Sequence, residues 1–283
     1  MAEKSEIESL LYLLDDPDPE VQTGVHNRFR ELGENAVPLL DQFRAEADDA
    51  GERDLIHDII HSITFGSLYE EFSELLGSGI ENRRQLERAV LLLGRFGNPT
   101  LREKEYTDQL DLFARRIYGE IVSLPEESQK MHTLLRYLFR ELRFTGDEKN
   151  YHHPDNAYID RVMDRRKGLP ISLSLIVMFL GRRLDLPFYG VNMPIHFMLL
   201  YEGEREELLI DPFDGGTVVS YDQCCFFLKK NGIEPRPEHL QRADEQLILS
   251  RFIRNLMHSY SNRNREDRVR ELKQLLYLVE LKG

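Results

Sequence analysis

Two residues able to do acid–base chemistry, His196 and Asp211, border two short apolar runs in the second half of the chain. Four polar residues separate the runs, a pattern that favours a β-hairpin. If the turn is centred between Gly203 and Glu204, His196 lies directly across from Asp211. The carboxylate could then accept an imidazole N–H and fix the ring's tautomer, as an oriented general base requires. A slip of one residue would separate the two side chains, and both residue types also have ordinary structural roles at strand ends and turns.

The candidate nucleophile for this base and acid is Ser172. Pro170 suits the first turn of a helix predicted over residues 171–184, so Ser172 lies where the helix dipole and free amides could stabilise an oxyanion. With His196 and Asp211 it would complete a Ser-His-Asp set. Against this, a hydroxyl is a weaker nucleophile than a thiolate, and a serine near a helix start commonly caps the helix.

Three further polar residues, His152, His153 and Asn156, are candidates for lining the same cleft. Pro154 puts the two histidines in an extended or turn segment. A metal site built from His152 with the candidate base and acid has suitable ligand types, but the spacing does not require one. We therefore predict neither a metal nor a cofactor, and a loop that packs over the core is the competing interpretation.

The two cysteines, Cys224 and Cys225, are adjacent and lie in the segment QCCFFL, which is typical of a buried helix. Vicinal cysteines cannot easily form a normal disulfide, which fits a reducing compartment. Buried free cysteines are commonly inert, so catalysis by either is not favoured.

Helical periodicity dominates the elements that must position these residues. A stripe of Leu, Val and Phe over residues 7–43 resembles one HEAT repeat, and residues 55–76 carry a weaker second unit. Helical patterns continue between residues 83 and 142, and no strand pattern occurs before about residue 185. From Asp244 the helical period returns as one hairpin, similar to a single tetratricopeptide unit.

Composition narrows the class of function. The net charge of -13 disfavours binding to nucleic acid, because an acidic surface repels phosphate. The longest apolar run, residues 173–180, is too short to cross a bilayer, and the first residues lack an apolar signal core. We expect a cytoplasmic protein that is not associated with a membrane; the oligomeric state stays open.

Three motifs together, NYHHPDNAYIDRVMDRRKGLPISLSL, VNMPIHFMLLY and LIDPFDGG, resemble a bacterial family with transglutaminase-like and tetratricopeptide domains, described as regulators of sirC expression. The resemblance covers roughly residues 83–260. It implies a papain-like transglutaminase core in which His196 and Asp211 match the usual His and Asp. The usual Cys would fall near residues 170–172, where this chain has none. The chain also differs from the family at the paired histidines and in its short tetratricopeptide part.

The sequence therefore predicts a mainly helical α+β protein with a small antiparallel sheet. Residues 1–82 form a HEAT-like helical region, residues 83–243 a transglutaminase-like core with its preceding helices, and residues 244–283 a tetratricopeptide-like helical hairpin. We expect a non-enzymatic interaction or regulatory protein, a pseudoenzyme that binds a protein or peptide. The alternative is a hydrolase or acyltransferase that uses the Ser-His-Asp set.

Overall fold

The structure, a computed structural model, describes residues 4–77 and 79–281. It is mainly helical with a small antiparallel sheet, which confirms the predicted α+β class. The described residues divide into two compact units. One holds the chain up to Glu71 together with Asn98–Leu101, and the other holds Phe72–Gly97 and the chain from Arg102 onward. The predicted division at residues 82 and 243 remains a prediction.

The N-terminal unit is built from helices around a small apolar core. Asp18 starts the second helix, since its Oδ1 accepts the backbone N–H of Glu20 at 2.8 Å. Residues 55–76, predicted as a weaker second unit, belong mostly to one helix of 26 residues that continues into the other unit. The helices are α1 (Lys4–Tyr12), α2 (Pro19–Leu32), α3 (Val37–Glu46) and α4 (Ala50–Leu75). The core residues are Ile7, Leu14, Val25, Phe29, Ala36, Leu40, Ile56, Ile59 and Ile60.

The second unit is organised around a central helix in which every residue from Pro170 to Gly181 is buried. An ion pair holds its C-terminal end, where Arg183 donates to Glu87 at 2.6 Å and 2.7 Å. The helices that lead to and include it are α5 (Arg83–Gly97), α6 (Glu103–Ile121), α7 (Glu127–Arg136), α8 (Ile159–Arg165) and α9 (Pro170–Arg183).

Two sheets lie in this unit. The expectation of no strand before about residue 185 is wrong, because β1 (Thr145–Gly146) and β2 (Lys167–Gly168) form a parallel pair just before α9. Strands of two residues are too short to show a period of two. The second sheet is antiparallel with strand order β3-β4-β5-β6. Its strands are β3 (Phe188–Val191), β4 (Met198–Glu202), β5 (Glu207–Asp211) and β6 (Thr217–Val219).

The antiparallel sheet has two covered faces. Gly181 of α9 approaches Phe188 closely on one face. On the other face, residues that alternate along the strands pack against α10 (Tyr221–Lys230). This second cluster comprises Val191, Met193, Met198, Leu200, Cys224, Leu228 and Leu240.

The chain closes with a helical hairpin, α11 (Glu245–Ser261) and α12 (Glu266–Glu280). Ile248 of α11 packs against Gly190 at the edge of the sheet. None of the helices in the described part of the chain has the length and apolar character to cross a membrane.

Candidate functional site

His196 and Asp211 form a hydrogen-bonded pair, as the hairpin argument predicts. Nε2 of His196 lies 2.9 Å from Oδ2 of Asp211, and the side chains are 17% and 18% exposed. Oδ1 of Asp211 accepts the backbone N–H groups of Phe213 at 2.9 Å and Asp214 at 3.4 Å. One carboxylate thus holds both the imidazole and the turn after β5. In a neutral imidazole this contact puts the proton on Nε2, which donates to the carboxylate, and leaves Nδ1 as an acceptor.

The register of the hairpin differs from the prediction. Leu199 pairs with Ile210 and not with Leu208, because the loop is centred one residue later along the chain. His196 and Asp211 are therefore diagonal neighbours rather than directly opposed. A shift of two positions leaves every side chain on its predicted face, which is why the hydrogen bond forms despite the wrong register.

The pair packs against α10. Continuing the β4–β5 register by one position puts Asp211 across from Met198, which belongs to the cluster that α10 covers. The His196 ring lies 5.8 Å from the Phe227 ring in α10 and 6.2 Å from the Phe213 ring. These neighbours make the surroundings of the imidazole largely aromatic.

Phe213 links the pair to the strands before α9. Its ring covers Gly146 so closely that a Cβ added there would lie 2.6 Å from ring atoms. Gly146 in turn pairs with Gly168, two residues before α9 begins. The Phe213 ring therefore connects the His–Asp pair to the segment that leads into α9.

Ser172 is completely buried near the start of α9. Its hydroxyl donates to the backbone oxygen of Ala157 at 2.6 Å, and its neighbours Pro170 and Ile171 are buried as well. A nucleophile needs a path to the substrate and a base to take its proton. This geometry supports neither requirement, and it shows Ser172 as a tie between α9 and the segment before α8.

Both cysteines lie in α10, so the prediction that this segment is helical is confirmed. The prediction that QCCFFL is buried is wrong in part, because only Cys224 and Leu228 are buried. Cys224 is buried, and its Sγ lies 3.9 Å from the Sδ of Met198. Burial raises the pKa of the Cys224 thiol to about 11, with further upward effects from Cys225 and Asp211. A thiol with this pKa is almost entirely protonated near pH 7 and is a poor nucleophile.

The three candidate cleft residues have different roles. Asn156 is buried and structural, since its Nδ2 donates to Asn150 O at 2.7 Å and its Oδ1 accepts from Arg165 at 3.0 Å. His153 caps a short 3-10 turn, because its Nδ1 accepts the N–H of Asp155 at 3.2 Å. Only His152 is exposed.

His152 continues a row of rings that reaches the His–Asp pair. It lies edge-to-face with His258 at 4.8 Å and with Tyr151 at 5.2 Å. Tyr151 lies 5.8 Å from Phe213, which contacts His196. Burial raises the pKa of Tyr151; the charge of Arg251 opposes this and the charge of Asp211 adds to it. The sequence argument selected the two histidines and missed Tyr151, whose aromatic type next to them was the available signal.

Two exposed apolar side chains, Ile195 and Phe227, flank the pair and were also missed, and the exposed Phe226 precedes Phe227 on α10. Ile195 is 49% exposed, Phe226 69% and Phe227 37%. The helical period offered a signal for two of them, since Cys224 and Leu228 occupy the inward face of α10 and the phenylalanines fall between. In the described part of the chain, no group of three His, Cys, Asp or Glu side chains is placed to hold a metal ion.

Comparison with known proteins shows which family this chain matches. A family model described as the transglutaminase-like superfamily matches residues 104–254, which include the His–Asp pair and all of α9. No solved structure matches the chain.

Curated relatives match over part of their length. A UPF0162 protein of Xylella fastidiosa is 32% identical over 189 residues, covering 65% of this chain and 67% of that protein. Protein SirB1 of Salmonella typhimurium is 28% identical over 166 residues, covering 58% and 61%. F-box only protein 21 of Pongo abelii is 35% identical over 150 residues, covering 48% of this chain and 23% of that protein. The matched core thus occurs in proteins of different overall length.

Proposed function

This chain belongs to the transglutaminase-like superfamily, and from that membership we propose that it is a non-enzymatic regulatory protein which binds a protein or peptide partner. The partner lies on a surface that we name the dyad cleft, formed by His196, Asp211, Phe213, Phe227 and Ile195. The likeness to protein SirB1 and to the UPF0162 proteins supports a role shared with this family.

One observation carries the proposal: the base and acid of the superfamily's triad are in hydrogen-bonding geometry while the nucleophile's place is occupied by buried, inert groups. The His196–Asp211 bond is 2.9 Å. Residues 170–172 are buried, and the Ser172 hydroxyl is committed to Ala157 O. Acyl transfer through a covalent intermediate needs an accessible nucleophile, so this arrangement favours binding over turnover.

The surroundings of the pair favour a protein partner. Ile195, which precedes His196 in the chain, and Phe227, whose ring lies 5.8 Å from the His196 ring, expose apolar area beside the pair. Exposed aromatic groups near a half-buried polar pair are typical of interface anchors, since binding removes their area from water while the polar pair sets orientation. A hydrolase or acyltransferase, the alternative from the sequence, requires Ser172 to leave its buried position, and the described contacts give it no support.

The test compares partner capture by the wild type with capture by His196→Ala and Phe227→Ala, using lysate of the organism that supplies the protein. The matched control is Tyr277→Ala, because Tyr277 is an exposed aromatic residue on α12. We expect both cleft variants to retain roughly a tenth or less of the captured partner, with the control unchanged. Equal capture by all four proteins would contradict the proposal.

A second arm addresses catalysis directly. Wild-type protein is assayed for amide hydrolysis and transamidation on glutamine peptides, before and after treatment with iodoacetamide. We expect no activity in either sample. Activity that alkylation abolishes would show that a cysteine acts as nucleophile and would replace the binding proposal with an enzymatic one.

A further inference from the structure

Arg251 is a half-buried cation without an acidic partner among the residues that the structure describes. Its Nε is buried and has no hydrogen-bond partner there. The neighbouring cation on the same helix differs, since Arg254 pairs with Glu280 at 2.5 Å. In a chain with 50 acidic and 37 basic residues, an unpaired guanidinium at a partly desolvated position is unexpected, because burying an unpaired charge costs free energy.

Among the residues that the structure describes, the groups that shift the pKa of Arg251 include no carboxylate. Burial lowers the pKa of Arg251, the Tyr151 phenol opposes this shift, and the charge of Arg254 adds to it. Its ionisable neighbours are therefore a phenol and another cation. The site lacks one negative charge, and a ligand could supply it.

Arg251 lies beside the row of rings that leads to the dyad cleft. Tyr151, one ring of this row, interacts electrostatically with Arg251. The charge of Asp211 also acts on Tyr151 and raises its pKa. Successive ring centroids from Tyr151 through Phe213 to His196 are 5.8 Å and 6.2 Å apart. The Arg251 site and the His–Asp pair thus border one continuous floor no more than about 12 Å long between the outer rings, the length of roughly four residues of extended chain.

We propose that Arg251 binds the side-chain carboxylate of an internal Asp or Glu in a peptide segment that lies along this floor. The inference rests on the proposed function and specifies its ligand: an acidic segment with an apolar residue about four positions from the acid. The apolar residue contacts Phe227. The carboxylate meets the guanidinium, whose planar fork suits bidentate binding.

Two features support an internal acidic residue. The floor continues beyond Tyr151 to His152 and His258, both exposed, so the peptide need not end at Arg251. Several basic side chains also lie near the cleft, in addition to the Asp211 carboxylate that belongs to it. Exposed Lys229 and Lys230 end α10. A groove of 780 Å³ on the other side of Phe213 carries four basic side chains against three acidic ones, Arg140, Arg143, Lys149 and Lys167 against Asp147, Glu148 and Asp214.

The test uses alanine-based peptides of seven residues, acetylated and amidated so that neither terminus is charged. The first carries one leucine and, four residues later, one glutamate; the second carries glutamine in place of the glutamate. A third lacks the acid but keeps a free C-terminal carboxylate. Binding is followed by NMR titration of the Arg251 Nε–H and the Tyr151 ring, in wild type, Arg251→Gln and the matched control Arg254→Gln.

We expect the wild type to bind the glutamate peptide roughly tenfold more tightly than the glutamine peptide. Arg251→Gln should lose this preference and keep its fold, because Arg251 makes no ion pair whose loss would destabilise the protein. Arg254→Gln should retain the preference. Urea unfolding of each variant checks that folding is intact.

The remaining outcomes overturn the assignment. Equal binding of the first two peptides, or no binding of any peptide at 10 mM, removes the carboxylate site at Arg251. Tighter binding of the third peptide assigns the site to a chain terminus instead. If partner capture still depends on His196 and Phe227 in any of these cases, only this inference fails and the proposed function stands.

Discussion

Replacement of Asp211 separates what its carboxylate does for the fold from what it does for the imidazole. Asp211→Ala removes the bond to His196 and the bond from the Phe213 N–H, each 2.9 Å long. The two side chains are less than a fifth exposed, so water replaces these partners poorly. A bond to a charged group contributes about 1.5–3 kcal/mol and the second bond about 0.5–1.5 kcal/mol, so we expect a loss of about 2–4 kcal/mol.

Asp211→Asn should behave differently. The amide oxygen can still accept the N–H of Phe213, and the amide nitrogen can donate to Nε2 of His196, at a cost of about 1 kcal/mol or less. The donor and acceptor have then exchanged places, so the imidazole proton moves to Nδ1. A partner that donates a hydrogen bond to Nδ1 would lose this contact while the protein stays folded, and capture should fall with little loss of stability.

The assay combines urea unfolding, partner capture and NMR of the imidazole nitrogens. Unfolding can be followed by tyrosine fluorescence, because the chain has no Trp. Asp214→Ala is the matched control: it removes a neighbouring acid that is exposed and acts on this turn through its backbone. Stability of Asp211→Ala within about 0.5 kcal/mol of wild type, together with an unchanged His196 tautomer in Asp211→Asn, would refute the reasoning.

Two other changes test the structure outside the cleft. Glu87→Ala removes the buried carboxylate that Arg182 and Arg183 share, while Asp111 still pairs with Arg183. We expect the second unit to lose about 1.5–3 kcal/mol of stability in urea unfolding. Glu87→Gln should lose less because its amide oxygen still accepts hydrogen bonds, and equal losses would contradict the buried pair. Burial lowers the pKa of His153, and this effect outweighs the charge of Asp155, which raises the pKa. As the pH drops below the ordinary value of 6.5, the unfolded chain therefore takes up the proton before the folded protein does. The free energy of unfolding falls as a result. His153→Asn keeps the cap and should remove this part of the pH dependence between about pH 7.5 and 5.5 in urea unfolding; an unchanged pH dependence would contradict the lowered pKa of His153.

The sequence was sufficient to predict the helices and strands whose apolar residues recur with a clear period. The apolar run of α9 between its opening proline and the arginines at its end is readable without a structure, as are the two strands of the hairpin. The hairpin register was not readable, because it depends on turn geometry: Gly203 N–H donates to Glu206 O at 2.9 Å, and Glu202 pairs with Glu207. The two-residue difference happened to preserve the faces, so the predicted His–Asp contact survived an error in its own premise.

The side chains that surround the site could not be predicted from the sequence, for a different reason. Periodicity assigns a residue to a face of its helix, but it does not show which side chains another element brings to that face. Ser172 is an example: its position at the start of α9 was predicted, while its bond to Ala157 O depends on a loop that precedes α8. Arg251 is another, since a missing partner can be recognised only when the neighbours are in place.

Several features of the dyad cleft lower the stability of the folded protein. Met193 to His196 form a turn closed by His196 N–H donating to Met193 O at 3.3 Å, and Pro194 suits its second position. Its third residue, Ile195, has φ of 59°, a left-handed conformation that glycine or asparagine normally occupies and that costs a β-branched residue about 1–3 kcal/mol. The same region holds a half-buried His–Asp pair and an unpaired Arg251. Strain and unpaired charge gathered at one place mark a functional site. Because the Ser172 hydroxyl near the start of α9 is buried and donates to Ala157 O, we propose that the free energy given up there serves the binding of a partner that supplies the missing contacts.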